Sequence, residues 1–196
     1  MERTAARNTR VPLDFIGNAS TNDRVAAELT RWASSGGPMF AIHEASGWTA
    51  ADICRDARFN RADVIAVDLL DELPLIPGMT RRETAEESYK LFIRLALQTG
   101  CHVIIAGHLN RARMTGRADI LPPVLADIRE TAQIANGSNN VVFVWREQDS
   151  QTGKPEPEGL VILAKARGGT PGSVDVYFDG DHQRWLPLDT QTAVAA

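Results

Sequence analysis

Asp63-Val64-Ile65-Ala66-Val67-Asp68-Leu69-Leu70 is the stretch on which the fold turns. Four apolar residues run unbroken from Val64 to Val67 and end in an acid, Asp68. β-branched side chains dominate the run, which predicts a strand buried on both faces of a sheet. A carboxylate at the C-terminal end of such a strand lies where open α/β sheets place their ligand crevice. Nucleotide-binding sheets use that position to hold Mg²⁺ beside phosphates, directly or through a water. The competing reading is an acid that merely leaves the core for a loop, and these eight residues alone do not separate the two.

Working outward, the pattern alternates strands with helices. Upstream, Thr49 and Asp52 form an acidic version of the capping box, predicting a helix from Thr49 to about Phe59. Before it come a short buried strand at Met39–Ile42, a break at Ser34–Pro38, and a helix from about Asp23 to Ser34. The first ten residues are rich in arginine and poor in core material. Downstream, Pro74, Pro77 and Gly78 mark a loop. Arg82 to Thr99 is the longest helical pattern, with Ala85, Tyr89, Phe92, Ile93 and Ala96 on its apolar face and Gly100 closing it.

His102–Ala106 then predicts a second buried strand, ending in Gly107-His108-Leu109-Asn110. An arginine-bearing loop over 111–123 leads to a short helix from about Val124 to Ile134. A third strand follows at Val141–Trp145, an exposed polar loop at 146–159, and a fourth strand at Leu160–Ala164. Lys165 to Gly172 reads as a turn with two cations. Val174–Phe178 and Gln183–Leu186 read as a hairpin around Asp179-Gly180-Asp181. Strands before residue 150 alternate with helices, which implies parallel pairing; the later ones follow one another closely, which implies an antiparallel edge.

The 196 residues suffice for one domain with a sizeable core. A hydrophobic content of 43% with 23% charged residues is ordinary for a globular chain, and the net charge of −4 leaves any polyanion contact to local cations. Cys54 and Cys101 lack metal-ligand spacing and read as reduced thiols of a cytoplasmic protein. There is no apolar run of membrane length and no signal peptide, so no membrane partner is expected. The four tryptophans are scattered and read as packing residues.

Several short motifs, in order, resemble the C-terminal, RecA-like motor domain of DnaB-type hexameric replicative helicases. Val67-Asp68-Leu69-Leu70 stands where that family has its Walker B strand. Gly107-His108-Leu109-Asn110-Arg111 is similar to the family's S-Q-L-N-R, with His108 in place of glutamine. Asp127-Ile128-Arg129-Glu130-Thr131 resembles D-L-R-E-S, Lys165-Ala166-Arg167-Gly168-Gly169 resembles K-x-R-N-G, and Phe178-Asp179-Gly180 resembles F-N-G. No G-x-x-x-x-G-K-[ST] occurs, so neither a glycine loop nor its lysine is present to cradle phosphates. In the family that loop precedes a strand bearing the catalytic glutamate, and this sequence starts just after that point. The chain thus reads as the C-terminal portion of a helicase domain, whether a gene fragment, a split gene or a truncation.

The resemblance implies roles. Asp68 would be the Mg²⁺-side acid, with Asp71 and Glu72 either additional ligands or solvated loop acids. His108 would sense the γ-phosphate through a hydrogen bond, or be an ordinary strand-end histidine. Lys165 and Arg167, two apart and on one face if the chain stays extended, would reach a neighbouring subunit's γ-phosphate. Arg129 and Glu130 would belong to a loop facing single-stranded DNA, with Arg111, Arg113 and Arg117 extending the phosphate track; Ala132 stands where the family has glycine.

The resulting expectation is an α/β fold: a RecA-like, mostly parallel sheet flanked by helices, with an antiparallel hairpin at its C-terminal edge. Residues 1–188 would form a partial helicase core and 189–196 a loose tail. Asp68, His108 and the turn after Ala164 should line one rim of a single sheet. The chain would use ATP and Mg²⁺ within a ring, a hexamer by the resemblance, or with a partner chain carrying the phosphate loop, and would not hydrolyse ATP alone. The alternative is a non-catalytic helicase remnant that binds DNA or modulates an intact ring.

Overall fold

The computed structural model describes residues 23, 25–27, 30, 31, 34, 43, 47–109, 121–128, 132–149 and 151–188. The arginine-rich start, the strand expected at Met39–Ile42 and the tail from 189 lie outside them. The described positions between Asp23 and Ser34 are helical, with Thr30 and Ser34 hydroxyls donating to the carbonyls four residues back.

Helix α1, Ala50–Phe59, starts with the expected capping box. The Asp52 N–H donates to Thr49 Oγ1 at 3.3 Å, and the Thr49 N–H returns a bond to the Asp52 carboxylate at 2.9 Å. The Thr49 hydroxyl and backbone N–H hold the Asp52 carboxyl below its ordinary range. Ala50, Cys54 and Ala57 recur at helical spacing and are buried.

Helix α2, Arg81–Thr99, begins one residue earlier than the apolar pattern predicts. Thr80 and Glu83 form a second capping box, which that pattern does not register. Gly100 closes the helix in the left-handed region at φ +76°. Ala85, Tyr89 and Phe92 face the core as expected. Leu95, completely buried, takes the place expected of Ile93, which is exposed. The core stripe therefore follows the 85-88-89-92-95 row.

Strands β1, Val64–Val67, and β2, His102–Ile105, pair in parallel, Val64 opposite His102 and Val67 opposite Ile105. Ile65, Val67, Val103 and Ile105 face the helices, where Val67 joins Phe92, Leu95, Cys54 and Cys101 in one core. The other face of this pair is open. Val64 is 55% exposed and Ile104 53%, and Ala66 and His102 are exposed beside them. The expectation of burial on both faces is thus corrected. A run of β-branched residues cannot say whether both sides of a strand are covered, because period-2 contrast is absent either way.

Among the described residues the other strands form an antiparallel sheet in the order β3-β4-β5-β6: Asn140–Gln148, Pro155–Ala166, Gly172–Asp179 and Arg184–Pro187. The C-terminal hairpin is as expected, with Phe178 opposite Trp185 and Asp179 opposite Arg184. Three expectations are corrected here. Strand β3 pairs antiparallel with β4, where parallel pairing was expected. The polar stretch 146–159 is mostly strand, its loop shrinking to 149–154, because polar side chains suit the solvent side of a hairpin. The helix expected over Val124–Ile134 is divided: a 3-10 turn at Leu125–Asp127, an extended Ile128 bridged to Leu109, and a short helix α3 at Ala132–Gly137. Ile128 at ψ 121° ends the first turn.

Candidate functional site

Because β1 and β2 run parallel, their C-terminal ends share one rim. The ladder continues past both strands, Ala106 N–H donating to the Val67 carbonyl at 2.9 Å and Leu70 N–H to the Ala106 carbonyl at 3.2 Å. Asp68 leaves this rim from β1 and His108 from β2, and both are exposed. The Asp68–Leu69 peptide bond is cis. A 3-10 turn at Leu70–Glu72 then carries the chain onto α2, anchored by buried Leu70 and Leu73.

Asp71 departs from the reading as a solvated loop acid. Its residue is only partly exposed, and Oδ2 is buried with no hydrogen-bond partner among the described residues. Glu72 is exposed. Burying an unpartnered carboxylate oxygen is costly, so the turn after β1 holds acceptor capacity not spent on hydrogen bonds among the described residues. Mg²⁺ takes hard oxygen ligands and typically only one or two carboxylates beside substrate phosphates and waters. The donor chemistry of Asp68 and Asp71 fits that demand. Among the described residues no group of three or more His, Cys, Asp or Glu could hold a metal ion.

The two cations of the K-x-R segment are placed differently from each other. Lys165 lies inside β4 rather than in the turn, and is half-buried. Its ammonium donates to the carbonyls of Ala135 at 2.9 Å and Asn136 at 2.5 Å, the last turn of α3. Arg167 lies just past the strand and is exposed; its backbone N–H donates to the Asn139 carbonyl at 2.8 Å. Gly168, at φ +90°, then turns the chain. Lys165 and Arg167 belong to the antiparallel sheet and Asp68 and His108 to the parallel one, so the expectation that all line the rim of a single sheet is not met by the ladders. Between β2 and β3 no ladder is present among the described residues.

Arg111, Arg113, Arg117, Arg129 and Glu130 lie outside the described residues. One arrangement is not foreseen by the motifs: the Arg146 guanidinium lies 4.5 Å from the Phe178 ring centroid and 5.7 Å from Trp185, whose rings stand 5.0 Å apart. Beside it the Asp179 carboxylate accepts from His182 and Arg184, each at 2.9 Å. Burial pushes the Asp179 carboxyl up, but the bonds from His182 and Arg184 prevail and hold it below its ordinary range. The i, i+3 and i, i+5 spacing of Asp179, His182 and Arg184 is visible in the sequence; only the hairpin register makes it a cluster.

Comparison with known proteins sets these residues in context. The profile of the DnaB-like helicase C terminal domain family matches residues 1–186. The chain is 28% identical over 196 residues to the replicative DNA helicase DnaB of Leifsonia xyli subsp. xyli, covering 95% of this chain and 42% of that protein. It is 26% identical over 160 residues to the DnaB of Rickettsia conorii, covering 70% and 32%. The chain therefore spans less than half the length of these relatives. Among solved structures, a DnaB-like replicative helicase studied with its primase interactions superimposes with a TM-score of 0.78 at 17% identity, over 95% of this chain and 47% of that one. A second solved structure, described as an ATPase domain, gives 0.78 at 18% identity, over 95% and 69%. The fold is thus that of RecA-like helicase ATPase domains.

Proposed function

This chain belongs to the DnaB-like helicase C-terminal domain family, and from that premise we propose that it is part of an ATP-dependent DNA helicase motor. In this reading the subunit works in a ring, of six by the family pattern, around single-stranded DNA. The single observation that carries it is the shared C-terminal rim of the parallel strands β1 and β2, from which exposed Asp68 and His108 both leave.

Asp68 would hold Mg²⁺ against bound ATP, with Asp71 an additional candidate ligand; the metal when bound neutralises phosphate charge. His108 would donate a hydrogen bond toward the terminal phosphate. Arg167, exposed on the other sheet, would serve the neighbouring subunit's nucleotide, where a fixed guanidinium stabilises charge spreading over the transferred phosphoryl group. Lys165 belongs to the same segment. Arg129, with Arg111, Arg113 and Arg117, would follow the DNA backbone, and Glu130 would orient a donor. No phosphate loop occurs among these 196 residues, and hydrolysis would require one to be supplied.

The test is turnover. The 196-residue chain alone with Mg²⁺-ATP shows none. Adding a chain that carries the phosphate loop and its following glutamate restores hydrolysis, and Arg167→Ala abolishes the restored activity. Hydrolysis by the chain alone would overturn the reading. The second reading, a non-catalytic remnant, is favoured if addition of the chain only inhibits an intact DnaB-type ring.

A further inference from the structure

At the end of the parallel pair away from the Asp68 rim, α1 and α2 finish just before β1 and β2 begin. The Arg58 guanidinium of α1 donates to the Gln98 amide oxygen of α2 at 2.8 Å. Phe59 and Leu97, their neighbours in sequence, therefore lie at one end of the helix pair. They are 84% and 82% exposed, barer than any other large apolar side chain among the described residues. A single exposed apolar residue is ordinary, but two at adjoining helix ends make a patch.

Cations accompany this patch. Arg94 stands one turn before Gln98 on α2, and Arg61 follows α1 in the turn to β1. Among the described residues, none of Arg58, Arg61 and Arg94 has an acid within ion-pair distance. The carboxylates of α1 are already answered, Asp52 by Thr49 and Arg55, and Asp56 by Asn60 and His43. Asp63, exposed at the approach to β1, is the acid left over. A chain of net charge −4 is thus locally cationic here.

The backbone adds an independent observation. Helix α1 closes in a Schellman motif, the Ala62 N–H donating to the Ala57 carbonyl at 2.9 Å and the Arg61 N–H to the Arg58 carbonyl at 3.2 Å. That motif holds Arg61 in the left-handed region at φ +49°. Helix α2 uses a glycine, Gly100, for its own left-handed bend. Any side chain at such a position presses its Cβ against the backbone. The helix dipole does not require this arginine, because Arg58 already supplies a cation in the last turn. Backbone strain of this kind persists where a residue serves something besides the fold.

We propose that the ends of α1 and α2 form a docking surface for an acid-flanked amphipathic helix of a second protein. Phe59 and Leu97 enter its apolar stripe, and Arg58, Arg61 and Arg94 pair with its carboxylates. Charge complementarity selects this occupant: three unanswered guanidinium groups surround two apolar anchors. A lipid surface calls for a longer apolar face than two side chains. A nucleic-acid strand would meet Asp63 and find one ring for base stacking. The surface lies at the N-terminal ends of β1 and β2, so its occupation leaves the Asp68–His108 rim open and does not depend on the motor reading.

Two synthetic helical peptides with the same leucine stripe, one flanked by glutamates and the other by lysines, are titrated into the full chain and followed by NMR. The glutamate peptide shifts the amides of Phe59, Arg61, Leu97 and Gln98, and the lysine peptide binds at least about tenfold more weakly. Phe59→Ser and Leu97→Ser each weaken the glutamate peptide about tenfold. Arg61→Gly separates binding from folding: it weakens the peptide at least about threefold, while Tm stays at or above the wild-type value because glycine relieves the strain. No shift at these amides, equal binding of the two peptides, or wild-type binding by Arg61→Gly overturns the proposal. Tighter binding of these residues to a single-stranded oligonucleotide or to phosphatidylglycerol vesicles overturns it too. So does a dimer in sedimentation that Phe59→Ser dissociates, which would give the surface to a second copy of this chain.

Discussion

Gly159 offers a sharp test of the sheet that carries Lys165 and Arg167. It is buried in the middle of β4, opposite Arg146. A Cβ built there would lie 2.5 Å from the Trp145 carbonyl oxygen, 2.8 Å from Arg146 Cγ and 3.3 Å from Trp185 Cζ3. The first contact is with backbone held in the β3–β4 ladder, which cannot yield as a side-chain tip can. Overpacking of this kind costs about 1–3 kcal/mol. Loss of glycine's freedom in the unfolded chain returns about 0.4–1 kcal/mol. With a backbone clash the cost lies near the upper end, so Gly159→Ala should lose about 2 kcal/mol net. For a chain of this size that lowers Tm by about 4–8 °C. Urea melts should show a lower midpoint with unchanged slope. Gly107→Ala is the control: a Cβ there meets nothing within 4 Å, so its stability should stay within about 0.5 kcal/mol of wild type. A Gly159→Ala chain as stable as Gly107→Ala would refute the β4 packing and the register that places Arg146 and Trp185 over this glycine.

Further outcomes follow from the core and the hairpin. Phe92→Ala removes a ring that is 1% exposed and should cost about 3–5 kcal/mol, read from urea midpoints; a loss below about 1 kcal/mol would remove α2 from the centre of the core. Asp179→Asn should destabilise the C-terminal hairpin at neutral pH. Because the folded Asp179 carboxyl lies below its ordinary value, its contribution is complete above the unfolded pKa of about 3.9 and fades as pH falls through the lower folded value. Midpoints of wild type and Asp179→Asn should therefore converge in strong acid, and a gap that persists there would contradict the His182–Arg184 pairing.

Much of this architecture is legible in local chemistry. Thr49 with Asp52, Gly100, and the apolar runs at Val64–Val67 and His102–Ile105 announce their elements directly, because caps and strands are set by neighbours in sequence. What escapes a reading of the sequence depends on partners far along the chain. The 140s strand looks like any strand that follows a helix, and only its ladder with β4 shows it to be antiparallel. Val124–Ile134 has helical composition, but Ile128 is claimed by Leu109. Polar residues 146–159 conceal strand ends because water-facing positions carry no apolar signal. At the site, Asp68 and His108 can be placed at strand ends from sequence. The difference between Lys165 and Arg167 cannot, since it lies in carbonyls 30 and 29 residues away.

In the proposed motor, each subunit lends its acid to its own nucleotide and its arginine to the next one. Two variants test it together: Asp68→Asn and Arg167→Ala, each assembled with the phosphate-loop chain and each inactive alone. In a ring of head-to-tail contacts, random mixing leaves about a quarter of the boundaries with an intact Asp68 on one side and an intact Arg167 on the other. The account predicts that mixing the two dead assemblies restores Mg²⁺-ATP hydrolysis to roughly that fraction. A mixture as inactive as its parts would contradict it.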